Sequence, residues 1–250
     1  MTRARIDHMV GGIYRISVWS PQTGLTFNQF LIDDVAPTLV HTGRYDDYDA
    51  VVAAVAQVLD PARLENLVLL HWEGDENGGM HRFMSQAPRS RLVGSALSIA
   101  LNAAGFGLRE RSQGFRDGEI LELGEHRLRF LETPHVHHWD SMMVVEEKTH
   151  SLFPSDLFLQ PGEQPPVTAE NLAREMLGAY RQYGIFAHED PVRAVVRRIA
   201  DLNPDWVHAM HGASLPGEAL AHYSRALLEE EFAYRGVLFG RPIGTPAPSA

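Results

Sequence analysis

Two kinds of hydrophobic pattern alternate along the chain. Residues 12–19 (GIYRISVW) and 25–32 (LTFNQFLI) place apolar and polar side chains in alternation, so we predict that they form neighbouring strands. Residues 45–59 place apolar side chains at helical spacing, with acidic residues near the start, where the helix dipole favours them. Residues 67–70 (LVLL) are apolar throughout, which is typical of a short strand covered on both faces.

The rest of the chain continues this mixture of strands and helices. We predict further strands at 37–40, 119–123, 127–131, 142–146, 151–153 and 206–210, and helices at 95–103, 168–183, 191–202 and 218–234. No low-complexity segment or linker divides the sequence, so we expect one domain over residues 1–250, with a loose tail at 241–250. Two sheets with helices packed outside them are the simplest arrangement of these elements.

Composition narrows the classes of function. Of the 250 residues, 44% are hydrophobic and 22% charged, which is enough apolar material for a large core. The net charge of -10 argues against a nucleic-acid-binding protein, and no apolar run approaches the roughly 20 residues that span a bilayer. The N-terminal segment MTRARIDHMVGGIYRI lacks the apolar run of a secretion signal, and the chain has no cysteine. We therefore expect a cytoplasmic protein without disulfides, thiolate ligands or a membrane partner.

Four predicted strands are each followed by a side chain that can bind a metal. These side chains are His71, Glu73, Asp75 and Glu76 after residues 67–70, the stretch HVHHWD at 135–140, Asp156 after 151–153, and His211 after 206–210. Histidine and carboxylate suit iron, manganese and zinc where thiolates are absent. The recurrence predicts that the four segments meet at one edge of the sheets and form a metal site.

Each segment also has an ordinary explanation when it is taken alone. The acidic residues after the strand at 67–70 are typical of a solvated turn, and Asp156 is typical of a turn or helix cap. His211 precedes Gly212 and fits the end of a helix, while the three histidines at 135–138 fit an exposed cluster. Only the repetition of the pattern in four places favours a metal site over these explanations.

The same segments resemble sequence motifs of a known family. His71, Glu73 and Asp75 stand in the register H-x-E-x-D, and residues 132–142 (ETPHVHHWDSM) follow the pattern T-P-x-x-H-W-P-D-S-M without a gap. Residues 153–158 (FPSDLF) contain S-x-D-x-F in the altered form S-D-L-F. His211 and Gly212 correspond to the H-G motif near the end of the family pattern. Residues 26–32 (TFNQFLI) resemble the aromatic-Asn strand of the family. In these motifs the chain resembles metallo-β-lactamase-fold proteins, specifically the di-iron domain of flavodiiron proteins and their oxygen-binding di-iron relatives.

The resemblance implies a four-layer αββα sandwich and a particular set of metal ligands. One metal would be held by His71, Glu73 and His137, and the other by Asp75, Glu76 and His211, with Asp156 bridging both. Hydrolases of this fold normally have histidine where this chain has Glu73. Because carboxylates stabilise the higher oxidation states of iron, the substitution favours two iron ions and redox chemistry, with manganese or zinc as alternatives.

The chain departs from the family pattern at two places in the site. Glu76 stands where the family has the second histidine of its first motif, which leaves open a site of altered charge, a lost metal or a preference for manganese or zinc. His138 and Trp139 stand where the family has tryptophan and proline. We expect His135 and His138 to line the pocket, with a shifted register that makes one of them the ligand as the alternative. We expect His41 and His81 to lie near the pocket.

Three functions are compatible with this sequence. The first is a non-haem di-iron protein that binds or reduces O2, or NO, either as an oxygen sensor or with electrons from a separate partner, because no FMN-binding domain is expected in this chain. The second is a metal-dependent hydrolase of an ester, thioester, lactone or phosphodiester. The third is a non-catalytic binding module that has lost a metal. The resemblance also implies a homodimer.

Overall fold

Two mixed sheets lie face to face at the centre of the computed structural model, which describes residues 3–235. The first sheet has its seven strands in chain order: β1 (Arg5–Val10), β2 (Ile13–Ser20), β3 (Leu25–Ile32), β4 (Thr38–Val40), β5 (Asn66–Val68), β6 (Arg91–Ser95) and β7 (Ser112–Phe115). Neighbours from β1 to β4 are antiparallel, whereas β4 to β7 run parallel. The parallel half requires crossover connections, which the helices supply.

The second sheet has six strands in the order β13-β12-β11-β10-β9-β8. Their bounds are β8 (Ile120–Glu122), β9 (Arg127–Glu132), β10 (Met142–Glu146), β11 (Ser151–Phe153), β12 (Trp206–His208) and β13 (Ser214–Pro216). Only β11 and β12 pair in parallel. That pairing places the segments after β11 and β12 at the same edge, which matters for the site described below.

Within the described residues, seven helices flank the sheets. They are α1 (Tyr48–Val55), α2 (Gly74–Asn77), α3 (Met80–Gln86), α4 (Ala96–Ser98), α5 (Ala173–Tyr183), α6 (Glu189–Leu202) and α7 (Leu220–Glu229). A π-helical segment at Ile99–Ala103 extends α4, and short 3-10 turns lie at Tyr45–Asp47, Pro61–Arg63, Arg109–Arg111 and Gly217–Ala219. No helix within residues 3–235 is both long and apolar enough to cross a membrane.

Side-chain alternation along the strands builds three apolar layers. In β3, Phe30 and Ile32 face the second sheet, and the layer between the sheets also contains Phe130 and Val144. Leu31 points to the opposite face, where it joins the layer formed with α1 and α3. The outer face of the second sheet packs against α5, α6 and α7. The order of layers is therefore αββα, as the sequence predicts.

Most predicted elements are present, with shifted ends. The strand predicted at 25–32 coincides with β3, but the helix predicted at 45–59 is confined to Tyr48–Val55 after a 3-10 turn. The helix predicted at 168–183 begins only at Ala173. Four strands were not predicted, namely β1, β6, β7 and β13. The expected loose tail at 241–250 lies outside the described residues.

A buried histidine–carboxylate pair links the turn after β1 of the first sheet to β10 of the second sheet. His126, in the turn between β8 and β9, lies with Nδ1 3.0 Å from a Glu146 carboxylate oxygen and Nε2 2.9 Å from the Gly11 carbonyl oxygen. Glu146 also accepts hydrogen bonds from the backbone N–H groups of Lys148 and Thr149. Burial raises the pKa of Glu146, but the hydrogen bonds from His126 and Thr149 outweigh it and lower that pKa to about 2.

This pair predicts a pH-dependent contribution to stability. The charged form of Glu146 is favoured in the folded chain, so its contribution is complete above the unfolded pKa near 4.5 and is lost as the pH falls towards 2. Glu146→Gln should lower the free energy of unfolding at pH 7 by about 1–3 kcal/mol. Urea unfolding from pH 7 to pH 3 should show the difference from wild type shrinking below pH 4.5. The exposed Glu125→Gln is the control, and a difference that is independent of pH would contradict this role.

Candidate metal centre

Four segments meet at one edge of the two sheets. His71 follows the end of β5 by three residues, Asp156 follows β11 by three, and His211 follows β12 by three. His137 lies in the loop between β9 and β10. The first sheet therefore contributes one ligand-bearing segment and the second sheet three, and the predicted convergence at strand ends is present.

Close backbone packing positions the segment that follows β5. A Cβ atom on Gly78 would lie 2.5 Å from the backbone nitrogen of Tyr45, and one on Gly79 would lie 2.6 Å from the carbonyl oxygen of Thr42. These two positions therefore require glycine, which lets the end of α2 lie directly on the loop after β4. The backbone N–H of Thr42 donates to the Glu76 carbonyl, which holds the same two segments together.

One cluster of donor atoms gathers around His71 and His137. Glu73 Oε2 lies 2.9 Å from His71 Nε2 and 3.2 Å from His137 Nε2. Asp156 Oδ2 lies 2.8 Å from His137 Nε2 and 3.4 Å from His71 Nε2. Ligand bonds of about 2.1 Å place adjacent donor atoms about 3 Å apart around one ion, so these four atoms fit a single metal.

A second cluster forms on the other oxygen of the same aspartate. Asp156 Oδ1 lies 3.2 Å from His211 Nε2, and Asp75 Oδ2 lies 3.6 Å from that nitrogen. Asp75 Oδ1 is buried without a hydrogen-bond partner among residues 3–235. The two oxygens of Asp156 therefore face two different clusters, which is the arrangement of a carboxylate that bridges two metals.

Hydrogen bonds behind the histidines direct their Nε2 atoms into the clusters. His211 Nδ1 lies 3.0 Å from the Thr26 carbonyl oxygen, to which it donates. His71 Nδ1 lies 2.8 Å from Ser155 Oγ, and that hydroxyl donates to Glu76 Oε1. In both cases Nδ1 is held by a partner outside the clusters and Nε2 faces the carboxylates, so Nε2 is the atom that would bind a metal once its proton is displaced.

The turn that carries His211 is held from the first sheet. The Asn28 side-chain amide donates to the carbonyl oxygens of Ala209 and Gly212 at 2.9 and 2.8 Å. Arg15, which is fully buried, donates from Nη2 to the Gly212 carbonyl at 2.7 Å. The predicted aromatic-Asn strand therefore acts by fixing the backbone beside a candidate ligand.

The clusters are strongly coupled electrostatically. Burial disfavours the charged form of His137, but its hydrogen bonds with Asp156 and Glu73 outweigh this and raise its pKa to about 10. Burial likewise disfavours charge on Asp156, yet hydrogen bonds with His137 and His211 hold its pKa well below the usual range. Hydrogen bonds with His137 and His71 lower the pKa of Glu73. Protons on the histidines thus balance the buried carboxylates, and cations bound there would replace them.

The carboxylate of Glu76 lies on the Nδ1 side of the His71 ring. Its Oε2 is 3.1 Å from His71 Nδ1 and 3.0 Å from His41 Nδ1, and both partners are buried. Burial raises the pKa of Glu76 well above the usual range, with the negative charge of Asp156 adding to the effect. These contacts join Glu76 to the ring nitrogen that faces away from the first cluster. The second-metal ligand role expected from the sequence remains a prediction.

The other histidines lie at different distances from the clusters. His138 Nε2 is 3.8 Å from Glu73 Oε2, whereas the side chain of His135 is exposed and His81 stands beside Phe106. His41 contacts Glu76, with its Nδ1 atom 3.0 Å from Glu76 Oε2. The sequence does not predict the contacts of Arg15, His41 and Ser155, because each depends on packing between segments that are distant in the chain.

Comparison with known proteins identifies the family. The model of the family described as ODP family beta lactamase matches residues 25–212. The chain belongs to this ODP beta-lactamase family. The resemblance to the metallo-β-lactamase superfamily, stated above from the motifs, is thereby confirmed.

Relatives of this ODP-family chain include flavoproteins and oxidoreductases. It is 27% identical over 215 residues to a putative diflavin flavoprotein A 1 from Nostoc sp., covering 84% of this chain and 37% of the relative. It is 28% identical over 160 residues to the rubredoxin-oxygen oxidoreductase of Megalodesulfovibrio gigas, covering 61% of this chain and 40% of the relative. It is 29% identical over 143 residues to the nitric oxide reductase of Moorella thermoacetica, covering 57% of this chain and 36% of the relative. The chain thus spans two fifths or less of the length of these relatives.

Solved structures confirm the fold of the ODP-family chain. Rubredoxin oxygen:oxidoreductase from Desulfovibrio gigas matches with a TM-score of 0.80 at 20% identity, over 90% of this chain and 61% of that one. A flavo di-iron protein mutant from Thermotoga maritima matches with a TM-score of 0.80 at 15% identity, over 91% and 61%. The predicted αββα metallo-β-lactamase fold is therefore confirmed.

The position of Asp156 between the two clusters predicts that metal binding at both depends on this residue. Asp156→Ala should reduce bound metal from two ions per chain to less than half an ion, because it removes an oxygen ligand from each cluster. Asp156→Asn, which keeps the shape but not the charge, should also lose most of the metal. Metal content after dialysis, measured by atomic emission, gives the result. Asp201→Ala, an exposed substitution in α6, should keep both ions, and full occupancy in Asp156→Ala would refute the ligand assignment.

Proposed function

We propose that this chain is a non-haem di-iron protein that binds or reduces O2, with NO as the alternative ligand. The observation that carries the proposal is Asp156, whose two oxygens face two separate clusters of histidine and carboxylate. His71, Glu73 and His137 would hold the first iron with Asp156 Oδ2. Asp75 and His211 would hold the second with Asp156 Oδ1, and Glu76 is the further ligand that the resemblance implies.

The donor set favours iron over a purely hydrolytic metal. The first cluster combines two imidazoles with the carboxylates of Glu73 and Asp156, and the second combines one imidazole with two carboxylates. Nitrogen and oxygen ligands of this kind suit iron, and also manganese or zinc, which remain alternatives. When bound, a pair of ferrous ions would supply electrons to O2 or NO. The residues of the chain would set the spacing of the ions and orient the imidazoles, and they leave the Glu73 side chain 41% exposed to solvent.

The names of the relatives support redox chemistry on small gases. Two of them are called a rubredoxin-oxygen oxidoreductase and a nitric oxide reductase. The chain matches only part of each relative, so the source of its electrons is a separate proposal. We expect a separate redox protein to deliver the electrons. We expect no FMN to be bound by the described residues. The alternative to electron delivery is an oxygen sensor without turnover. We also propose a homodimer and a cytoplasmic location.

A hydrolase is the second candidate, because the family model that matches residues 25–212 is described as a beta lactamase. In that case the two metals would activate a water molecule for attack on an ester, thioester, lactone or phosphodiester. Glu73 argues against this candidate. Its carboxylate lies within 2.9 Å of His71 Nε2, in the position of a direct ligand rather than of a free general base.

Metal analysis combined with an oxygen reaction tests the proposal. Protein purified without added metal should contain about two irons per chain. Anaerobic reduction followed by exposure to O2 should change its near-ultraviolet and visible spectrum, and NO should change it differently. Two zinc ions, no spectral response and hydrolysis of a chromogenic ester would instead establish the hydrolase.

Glu73 should control the choice between these metals. Glu73→His replaces a hard anionic ligand by a neutral imidazole, so it should lower the ratio of bound iron to zinc at least several-fold when both metals are offered in equal amounts. Glu73→Asp keeps the charge and serves as the matched control. Competition measured by mass spectrometry of bound metals gives the ratio, and an unchanged ratio in Glu73→His would remove the argument from this ligand.

A further inference from the structure

The loop between β9 and β10 fixes the backbone of His138. The backbone carbonyl of His138 accepts hydrogen bonds from the N–H groups of His135 at 2.7 Å and Ser141 at 3.2 Å. The N–H of His138 donates to Ser141 Oγ at 3.0 Å. A residue held at both its N–H and its carbonyl has a restricted position, so the direction of the ring is set by the fold of the loop.

That direction leads into the first cluster. His138 Nε2 lies 3.8 Å from Glu73 Oε2, and its ring centre lies 4.7 Å from that of His71 and 4.6 Å from that of His137. One ligand atom from each of His71, Glu73, His137 and His138 lies within 4.8 Å of the others. Around one six-coordinate ion, ligand atoms lie about 3 Å apart when adjacent and about 4.2 Å apart when opposite. His138 is therefore close to a coordinating distance.

Asp140 supplies a second, independent observation. Its side chain is 1% exposed, and neither carboxylate oxygen has a hydrogen-bond partner among residues 3–235. An unsatisfied buried carboxylate is costly and requires an explanation. His138 Nδ1 stands 3.9 Å from Asp140 Oδ1. A small rotation of the ring would let Nδ1–H donate to this carboxylate and would direct Nε2 into the cluster, the carboxylate–histidine–metal arrangement of many metal sites.

Resting on the two-metal function proposed above, we propose that His138 is a direct ligand of the first metal and that Asp140 positions it. The first metal then has three imidazoles together with Glu73 and Asp156. The second has one imidazole, from His211, with the carboxylates of Asp75, Asp156 and, as the resemblance implies, Glu76. Position 138 is one of the places where this chain departs from the flavodiiron motif, which has tryptophan there. The two metals would consequently differ in coordination, with the open positions mainly at the second.

Counting coordinated imidazoles tests this proposal directly. Loading the protein with Co2+ alone makes the N–H proton of each coordinated imidazole appear as a strongly shifted proton NMR signal that disappears in D2O. Wild type should give four such signals, from His71, His137, His138 and His211. His138→Ala should give three while still binding cobalt. His135→Ala, a substitution of the exposed histidine in the same loop, should keep all four.

The wild-type count is decisive without any variant. Three signals in wild type that holds two cobalt ions per chain, or an unchanged count in His138→Ala, would overturn the proposal even if cobalt affinity fell, because a residue that only supports a ligand does not contribute a coordinated imidazole. Asp140→Ala should keep four signals and broaden one of them, since the Nδ1 proton of His138 would then exchange faster with water. Failure of the proposed function would be distinct, since it concerns iron content and the response to O2 rather than the number of imidazoles.

Discussion

The structure depends on burying one negative charge, that of Asp156, between two sheets. An isolated buried carboxylate is strongly unfavourable, and here it is stabilised by histidines on two sides, His137 on one oxygen and His211 on the other. Each histidine is in turn carried by a different loop of the second sheet. Three loops of the second sheet therefore meet at the two carboxylate oxygens of Asp156. The other donor atoms of the site lie around these two oxygens.

A layer of hydrogen bonds behind the donor atoms makes this arrangement rigid. Ser155, next to Asp156 in the chain, connects His71 to Glu76, and Glu76 reaches His41. On the other side, Asn28 of β3 holds the turn around His211. Polar groups with this many partners are oriented before any ion arrives, which lowers the cost of ordering them on binding.

The sequence predicts elements well where local pattern and burial agree. LTFNQFLI is buried along its whole length and coincides with β3. RIDHMV, at the edge of the first sheet, is half exposed and lacks a regular alternation, so β1 was not predicted. β7 (SQGF) has few apolar residues and exists through its pairing with β6, which no local signal reports. The helix at 168–183 begins late because residues 168–172 make contacts of their own, such as the backbone N–H of Thr168 with the Ser214 carbonyl.

For the site, the residues that converge were predictable, and their partners were not. Position after a strand identified His71, Asp156 and His211, because strand ends meet at a common edge. The direction of Glu76 could not be read from its place in a motif, since it depends on His41, which is 35 positions earlier in the chain. The partners of a buried carboxylate are set by the tertiary fold. A substitution within a motif can therefore change the contacts of a residue while its position in the sequence stays the same.

The division of the donor atoms between the sheets has a consequence for folding. His71 belongs to the first sheet, and His137, Asp156 and His211 belong to the second, so an ion bound among them ties together segments as much as 140 positions apart. Such an ion acts as a long-range cross-link, and cross-links that close large loops remove the most conformational freedom from the unfolded chain. Binding of an ion at this centre would therefore stabilise the contact between the two sheets as well as supply the chemistry of the site.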